Sequence, residues 1–455
     1  MLTCPVKGYF SELDVEQIAK MLRSKEITAK ALTQQSLNSI NQHKALNAFC
    51  YIDDEYAIQQ AEYADELFNQ GIDISPLQGI PIGIKDNIET TQLITSMGSN
   101  FFKNYLPEVD AECVQKLKAL GAVIIGKTNT HEFAYGPTGD ISVHGATKNP
   151  WDLAKISGGS SCGSAVAVAA GLVPIAIGTD TGGSIRIPAS LTGVVGFKPT
   201  YQQFSMKGVF PLSKSLDHLG ILAKSAQDID LVISLLKQGD YEQNHKVVSN
   251  TLATRLPKLG WVSIDNFIEN YDYPLYQKLK HHVFSLWNNQ IDEVSSVLTS
   301  FKDIHRYFYA IQNSEAYAVH HHQVEHSPEL FQKDVLERLL QAKQTKGWEY
   351  VDALDFQKKF QEDLAKIFDQ YDYLIMPTLP IQATALYQKD LYLNGAFINI
   401  KSALLSLTNI WNFLGNPVLN VPLCHENKMP IGIQIIGAKK SDRHLLAFEI
   451  GRAHV

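Results

Sequence analysis

Three glycine-containing stretches hold residues that could carry out nucleophilic catalysis: GIKDNI with Lys85, ISGGSSCGSA with Ser160 and Ser161, and GTDTGGSIRIPAS with Ser184. A serine hydroxyl is a weak nucleophile until a base accepts its proton. A lysine can be that base only when burial away from opposite charge lowers its pKa from about 10.4 towards neutrality. Each stretch alone is a weak signal, because segments rich in glycine and serine often form turns.

Other nucleophiles and ligands are also conceivable for these stretches. Residues 159–163 match the GxSxG nucleophile elbow with Ser161 at its centre, but that elbow needs a buried strand directly before it, and NPWDLAKIS is polar and contains Pro150. Cys162 could be a nucleophile on spacing, although a small residue that begins a helix is its commoner role. Phosphate binding is disfavoured, because GVVGFKPT lacks the GxxxxGK[ST] spacing and GTDTGGS lacks GxGxxG.

A histidine cluster raises the question of a metal site. It comprises His320, His321, His322, Glu325 and His326, with His322 and His326 four residues apart on one helix face. An HExxH motif is absent, and the sequence offers no third ligand elsewhere. We therefore expect a solvated or pocket-lining helix here, and we predict that the protein uses neither a metal nor another cofactor.

The order and spacing of the three stretches resemble the amidase signature family. The resemblance covers nearly the whole chain apart from a predicted helical insertion. It extends to HEFAYG (131–136), VVGFKPT (194–200), PLSKSLDHLG (211–220), LIMPTLP (374–380), and LGNPVLNVP followed by MPIGIQIIG.

The resemblance implies a Ser-Ser-Lys triad in place of Ser-His-Asp. In that triad Lys85 is the base, Ser184 the nucleophile, and Ser160 the bridging serine, whose peptide bond is cis in relatives. Ser160 then passes the proton of Ser184 to Lys85 and later to the leaving amine. Asp86 follows Lys85 directly, but adjacent residues on a strand point to opposite faces, so we expect it to leave the amine alone.

Further residues of the third stretch match supporting positions of the family. The resemblance implies an oxyanion hole of backbone N–H groups from Thr181, Gly182, Gly183 and Ser184. It also implies that Asp180 and Arg186 support this loop and that Ser161 is a second hydrogen-bonding serine. The chain departs from the family at two positions outside the triad, where Cys162 and Gln202 stand at places usually held by glycine.

The implied activity is hydrolysis of a carboxamide to a carboxylate and ammonia or an amine, through an acyl-enzyme on serine. An alternative within the family is the A subunit of the glutamyl-tRNA(Gln)/aspartyl-tRNA(Asn) amidotransferase, which frees ammonia from glutamine for a partner. Ile187 argues against it, since that subunit typically has glutamine there, and the chain is somewhat short. A catalytically idle binding protein is a third class, which an intact triad disfavours. The acyl group of the substrate stays open.

The elements that must position these residues predict an α/β protein. Apolar residues from Val15 to Leu22 have helical spacing, IPIGI reads as a buried strand that ends at Lys85, and SAVAVAAG and VPIAIG read as a helix and a strand. We expect one α/β/α amidase domain over residues 1–455, with a large mixed sheet covered by helices on both faces. Its parts are a helical N-terminal region (1–75), the signature core (76–225), a helical insertion (about 240–371) and a return to the sheet (372–450).

Composition restricts the partners and the compartment. The formal charge of −7 over 455 residues includes no basic stripe, which argues against nucleic acid as a direct ligand and favours a small-molecule amide. No segment has the length of a signal peptide core or a membrane span, so we expect a cytoplasmic protein without membrane contact. Five cysteines at irregular spacings predict free thiols. Oligomerisation stays open, and IGRAHV (450–455) is expected to be an adapter-derived end.

Overall fold

The fold is organised around an 11-stranded mixed sheet. The computed structural model describes residues 4–237, 257–287, 290–294, 301–426 and 428–453. The strands, in chain order, are β1 (Phe49–Ile52), β2 (Pro81–Lys85), β3 (Val123–Thr128), β4 (Lys148–Asn149), β5 (Asp152–Ile156), β6 (Ile175–Asp180), β7 (Val195–Lys198), β8 (His218–Ala223), β9 (Leu259–Val262), β10 (Ile291–Val294), β11 (Tyr373–Pro377), β12 (Asp390–Leu393), β13 (Ala396–Asn399), β14 (Val418–Glu426) and β15 (Met429–Gly437). The sheet order is β1-β3-β2-β6-β8-β7-β14-β15-β11-β9-β10, and β4 with β5 and β12 with β13 form two separate ribbons.

Helices cover both faces of this sheet, which explains why its central strands β2, β6 and β8 are buried along their whole length. The helices of the described chain are α1 (Val15–Arg23), α2 (Ala29–Gln42), α3 (Asp54–Asn69), α4 (Glu112–Ala119), α5 (Cys162–Ala169), α6 (Arg186–Thr192), α7 (Ala226–Leu236), α8 (Tyr273–Leu286), α9 (Phe301–His326), α10 (Lys333–Ala342), α11 (Gly347–Phe368), α12 (Ile400–Leu405), α13 (Asn409–Leu414) and α14 (Asp442–Ala453). The predicted α/β/α class with a large mixed sheet is confirmed.

The pairing of β2 with β6 brings the first and third chemical stretches together. The two strands run parallel, with Ile84 opposite Ile177. Because carboxyl ends of parallel strands meet at one edge of a sheet, Lys85 at the end of β2 lies near Asp180 at the end of β6. The loop after β6 then leads to Ser184 and into α6, so this edge gathers the candidate catalytic residues.

Local sequence explains two of the helices, α1 and α5. Asp14 caps α1 by accepting the Gln17 N–H, and the Gln17 side chain accepts the Asp14 N–H in return, which forms a capping box. Every residue of α5 is buried, and its small side chains let the helix approach β2, β6 and α6 closely. The expected helices and strands in these segments are confirmed.

The predicted helical insertion, about 240–371, also contributes strands. Strand β9 pairs in parallel with both β11 and β10, and these strands extend the sheet beyond β15. Short apolar runs such as LGWV cannot be assigned from periodicity alone, because only the partner strand decides their conformation. Residues 238–256, 288–289 and 295–300 of this region lie outside the described residues.

None of the helices in the described part of the chain is both long and apolar enough to cross a membrane. Four cysteines that the structure describes, Cys4, Cys50, Cys113 and Cys162, are free, as the sequence predicts. Most of the proposed adapter-derived end continues α14, and residues 454–455 lie outside the described range.

Candidate active site

Lys85 is fully buried at the carboxyl end of β2 and makes two hydrogen bonds. Its Nζ atom lies 2.7 Å from Ser160 Oγ and 2.7 Å from Thr179 Oγ1. Burial lowers the pKa of Lys85 to about 7, although the charges of Cys162, Asp180 and Asp217 act in the opposite direction. An amine with this pKa can be neutral at physiological pH and can accept a proton.

Asp86 does not oppose this effect, because its side chain belongs to a different set of contacts. Its carboxylate accepts hydrogen bonds from the hydroxyl and backbone N–H of Ser96 and from the N–H of Gly98. No ion pair joins it to Lys85 among the described residues. The expectation that adjacent strand residues point to opposite faces holds here.

Ser160 and Ser161 lie in the turn before α5, and the Gly159–Ser160 peptide bond is cis, as the resemblance implies. The Ser160 carbonyl accepts hydrogen bonds from the Thr130 hydroxyl and the His131 N–H, which hold the turn against the end of β3. The Ser161 hydroxyl donates to the Thr179 carbonyl at 3.0 Å, and the Ser161 N–H donates to the Ser184 carbonyl at 3.1 Å. Ser161 therefore links the second stretch to the third.

The loop that carries Ser184 is shaped by its glycines. Gly183 has φ +131°, and a Cβ atom there would lie 2.3 Å from Thr408 Oγ1, so only glycine fits. Its N–H donates to Asp180 at 2.8 Å, which differs from its expected place among the oxyanion donors. The backbone N–H groups of Thr181, Gly182 and Ser184 have no partner within the described chain. These three groups are the candidate oxyanion donors, and Gly183 instead fixes the loop conformation.

Asp180 and Arg186 form the buried ion pair beneath this loop. The Arg186 guanidinium contacts both carboxylate oxygens of Asp180, at 3.1 and 3.0 Å, and both side chains have no exposed surface. Although burial raises the pKa of Asp180, the guanidinium holds it well below its usual range. Arg186 also donates to Thr408, Asn412 and Gln434, so this residue joins the loop to the C-terminal part of the sheet.

The sequence analysis missed two residues that the structure places beside the triad. Thr179, on β6, binds Lys85, and Asp217 accepts a hydrogen bond from Thr181 at 2.6 Å. Both lie inside stretches that resemble the family, GTDTGGSIRIPAS and PLSKSLDHLG. A lone acidic residue directly before a buried strand was the available signal for Asp217.

A polar cavity of about 440 Å³ lies on the other side of Leu405 from the candidate oxyanion loop. Leu405 lines the cavity and lies 3.3 Å from the position of a Cβ atom on Gly182, so this side chain separates the cavity from that loop. The lining residues are Tyr135, Tyr309, Asn313, Asp334, Glu337, Arg338, Gln341, Lys389, Asn399, Lys401, Ser402 and Leu405.

Both signs of charge face this cavity. The Arg338 guanidinium lies 3.9 Å from the centroid of the Tyr135 ring and donates to the Tyr135 carbonyl at 2.7 Å. Lys401 forms an ion pair with Asp334. Such a wall suits a ligand that carries both an anionic and a cationic group.

The alternative nucleophile and metal sites lack the geometry for those roles. Burial raises the pKa of Cys162, which disfavours its thiolate. His320 is buried against Phe133, whereas His322 and His326 are exposed and stacked on each other. Within the described residues the histidine cluster brings no three donor atoms together.

One trio elsewhere has donor atoms within 4.8 Å of one another in the described chain: Cys50, Asp86 and His144. Ser96 lies between two of them, with its hydroxyl bonded to Asp86 at 2.5 Å and to His144 at 2.8 Å. The Cys50 thiol contacts the Lys127 carbonyl. These groups are therefore held by hydrogen bonds to protein atoms.

The fold and this arrangement define a class of enzyme. A family model described as Amidase matches residues 31–446, so the chain belongs to the amidase signature family. It is an amidase, an enzyme that acts on the carbon–nitrogen bonds of amides. Among solved structures, one described as an amidase has a TM-score of 0.87 and 30% identity, over 97% of this chain and 99% of that chain.

A second solved relative belongs to a vestigial protein complex said to reveal the evolutionary origins of an s-triazine catabolic enzyme. It has a TM-score of 0.89 and 29% identity, over 97% of this chain and 98% of that one. Among curated relatives, the A subunit of the glutamyl-tRNA(Gln) amidotransferase of Alkaliphilus metalliredigens is 31% identical over 97% of this chain and 96% of its own length. Its counterpart from Streptococcus pneumoniae is 33% identical over 95% and 94%.

These relatives correct one emphasis of the sequence analysis. They support the amidotransferase alternative better than the general amidase interpretation. They also leave the exclusion of nucleic acid without support, because the names of those proteins include a transfer RNA. The charge argument concerns direct contacts of one chain and does not extend to an assembly.

Proposed function

We propose that this amidase hydrolyses carboxamides through an acyl-enzyme on Ser184. Ser184 Oγ attacks the carbonyl carbon while its proton passes through Ser160 to Lys85. The N–H groups of Thr181, Gly182 and Ser184 stabilise the resulting oxyanion. The proton returns through Ser160 to the leaving nitrogen, the C–N bond breaks, and water then hydrolyses the ester by the same route.

The observation that carries this proposal is the environment of Lys85. A buried lysine that makes a 2.7 Å hydrogen bond to a serine and has a pKa of about 7 is suited to general-base catalysis. Two other fully buried lysines, Lys127 and Lys198, donate to backbone carbonyl oxygens, whereas the partners of Lys85 are hydroxyl groups, one of them that of Ser160. The idle binding protein remains disfavoured for the same reason.

The charged cavity supports an amide that carries a carboxylate and an ammonium group, and glutamine is the first candidate. Arg338 or Lys401 would face the carboxylate, and Asp334 the ammonium. The curated relatives favour the same substrate, and we infer that the chain is the ammonia-releasing component of a tRNA-dependent amidotransferase. By the same comparison we infer a cytoplasmic location and partner proteins.

A free-standing amidase for another polar amide is the second candidate. Ile187 favours it, because this buried residue replaces the glutamine expected in the amidotransferase. The solved relative described as an amidase, at 30% identity, is consistent with it.

Ammonia release from glutamine, asparagine, simple aliphatic amides and ureides tests both candidates. We expect glutamine to be preferred and Ser184→Ala to abolish release while the protein stays folded. Arg338→Ala should raise KM for glutamine at least tenfold and leave KM for an uncharged amide nearly unchanged. Arg23→Ala is the matched control, since Arg23 also combines a hydrogen bond to a backbone carbonyl with an aromatic contact and does not line the cavity.

Equal rates for glutamine and uncharged amides would contradict the substrate proposal and favour the second candidate. A second experiment, in which the other amidotransferase components and glutamyl-tRNA(Gln) are added, distinguishes the amidotransferase component from the free-standing amidase. Transfer of the amide nitrogen to the aminoacyl group is expected for the amidotransferase, and glutamine hydrolysis that never couples to transfer would exclude it.

A further inference from the structure

Asp217 occupies a position beside the oxyanion loop that no part of the proposed mechanism uses. Strands β6 and β8 pair antiparallel, with Asp180 opposite His218. If this pairing is continued by one residue, Thr181, which follows β6, lies opposite Asp217, which precedes β8. The Thr181 hydroxyl accordingly donates to Asp217 Oδ1 at 2.6 Å, and both residues are buried.

The second carboxylate oxygen of Asp217 anchors the loop before β8. It accepts the N–H groups of Leu212 and Ser213, at 3.0 and 3.1 Å. The same loop is held from the opposite side by Glu315 on α9, which accepts the Ser213 hydroxyl at 2.7 Å. Tyr350 on α11 donates in turn to Glu315 at 3.0 Å. The insertion helices therefore support Asp217 in a fixed place.

We propose that Asp217 is a positioning residue for catalysis, which orients Thr181 and with it the first N–H groups of the oxyanion hole. This inference rests on the proposed role of Ser184 and its loop. A hole of this type works only when its donors are already aimed at the developing charge. Gly182 has no side chain that could fix the loop, so the Thr181 hydroxyl is the anchor on this side.

Asp217 also has an electrostatic effect on the base. Its charge raises the pKa of Lys85, as do those of Cys162 and Asp180, against the larger effect of burial. The pKa of Asp217 itself is raised to about 7, mainly by burial. The charge of Glu315 also raises this pKa, whereas hydrogen bonds from Thr181, Ser213 and Leu212 lower it. Removal of the Asp217 charge should therefore make Lys85 a weaker base, and the acid limb of the pH profile should move to lower pH.

Variants at two residues, Thr181 and Asp217, separate the effect of position from that of charge. The kcat, the KM and the pH profile of amide hydrolysis are measured with the full chain. Thr181→Val removes the hydroxyl and keeps the shape, and kcat should fall on the order of 10- to 100-fold with KM changed little. Thr181→Ser should recover most of that loss. Asp217→Asn should move the acid limb to lower pH by less than about half a unit, because Asp217 is itself partly protonated near pH 7.

Asp228→Asn is the matched control, because Asp228 is also a buried carboxylate with a raised pKa, at the start of α7 away from the triad. It should lower stability and leave kcat and the acid limb unchanged. An unchanged kcat in Thr181→Val, or a loss that Thr181→Ser does not restore, overturns the proposal. If Asp217→Asn does not fold, the pair of Thr181 variants decides the matter.

Labelling by a fluorophosphonate distinguishes this inference from the proposed function. If the wild-type protein is not labelled at Ser184, the proposed function itself fails. If Ser184 is labelled and amide is hydrolysed, but the Thr181 and Asp217 variants behave like the control, only the positioning role is wrong.

Discussion

The pH dependence of the reaction follows directly from the burial of Lys85. Only the neutral amine can accept the proton from Ser160, and burial lowers the pKa of Lys85 to about 7. About half of the enzyme is then active at pH 7, about one tenth at pH 6, and nearly all above pH 8. Because the group must lose a proton to act, activity rises with pH. We expect kcat/KM, which reports the free enzyme, to fall about fivefold from pH 7 to pH 6 and about tenfold for each further unit.

Ammonia release should be measured from pH 5 to 9.5 at constant ionic strength, with circular dichroism at each pH to confirm that the protein stays folded. Burial also raises the pKa values of Asp217 and Glu132 to about 7, so the limb must be assigned to an amine. Ionisation of an ammonium group is strongly endothermic, whereas that of a carboxylic acid is nearly thermoneutral. The limb should therefore move to lower pH on warming.

A second perturbation checks the same assignment. Lys85→Ala should lose at least about 100-fold in kcat, and its residual rate should lack the limb near pH 7. A wild-type profile that is flat between pH 5.5 and 9 would refute the assignment of Lys85 as base. So would a limb that temperature does not move, or a Lys85→Ala enzyme that keeps most of its activity.

Three further predictions concern the nucleophile, metals and the buried ion pair. A fluorophosphonate should label Ser184 rather than residues 160–162. Peptide mapping that finds the adduct in residues 160–162 would show that the nucleophile lies in that segment and is not Ser184. Dialysis against a strong chelator should leave the rate unchanged, and a loss that zinc restores would contradict independence from metals. Asp180→Asn should destabilise the fold by about 3–5 kcal/mol in urea denaturation, because it leaves Arg186 buried without its counter-charge. Glu16→Gln, which breaks an exposed pair, should cost less than about 1 kcal/mol.

The local sequence determined much of this protein. Strands β2 and β6 follow from short apolar runs, and α1 follows from its period and its capping residue. The three chemical stretches stand out because they combine nucleophile-competent residues with glycines, and the roles predicted for them come from the resemblance of their order and spacing to the family. Each of these features depends on residues close together in the chain, and such features can therefore be predicted from the sequence.

Other features were decided only by contacts between distant segments. The pKa of Lys85 depends on complete burial, and the N–H of Gly183 turns to Asp180 because of how the loop closes. Asp217 meets Thr181 only through the register of β6 with β8, and the charged cavity combines Tyr135, α10 and α12. Burial and strand register depend on the packing of the whole chain, so they cannot be predicted from a pattern of neighbouring residues.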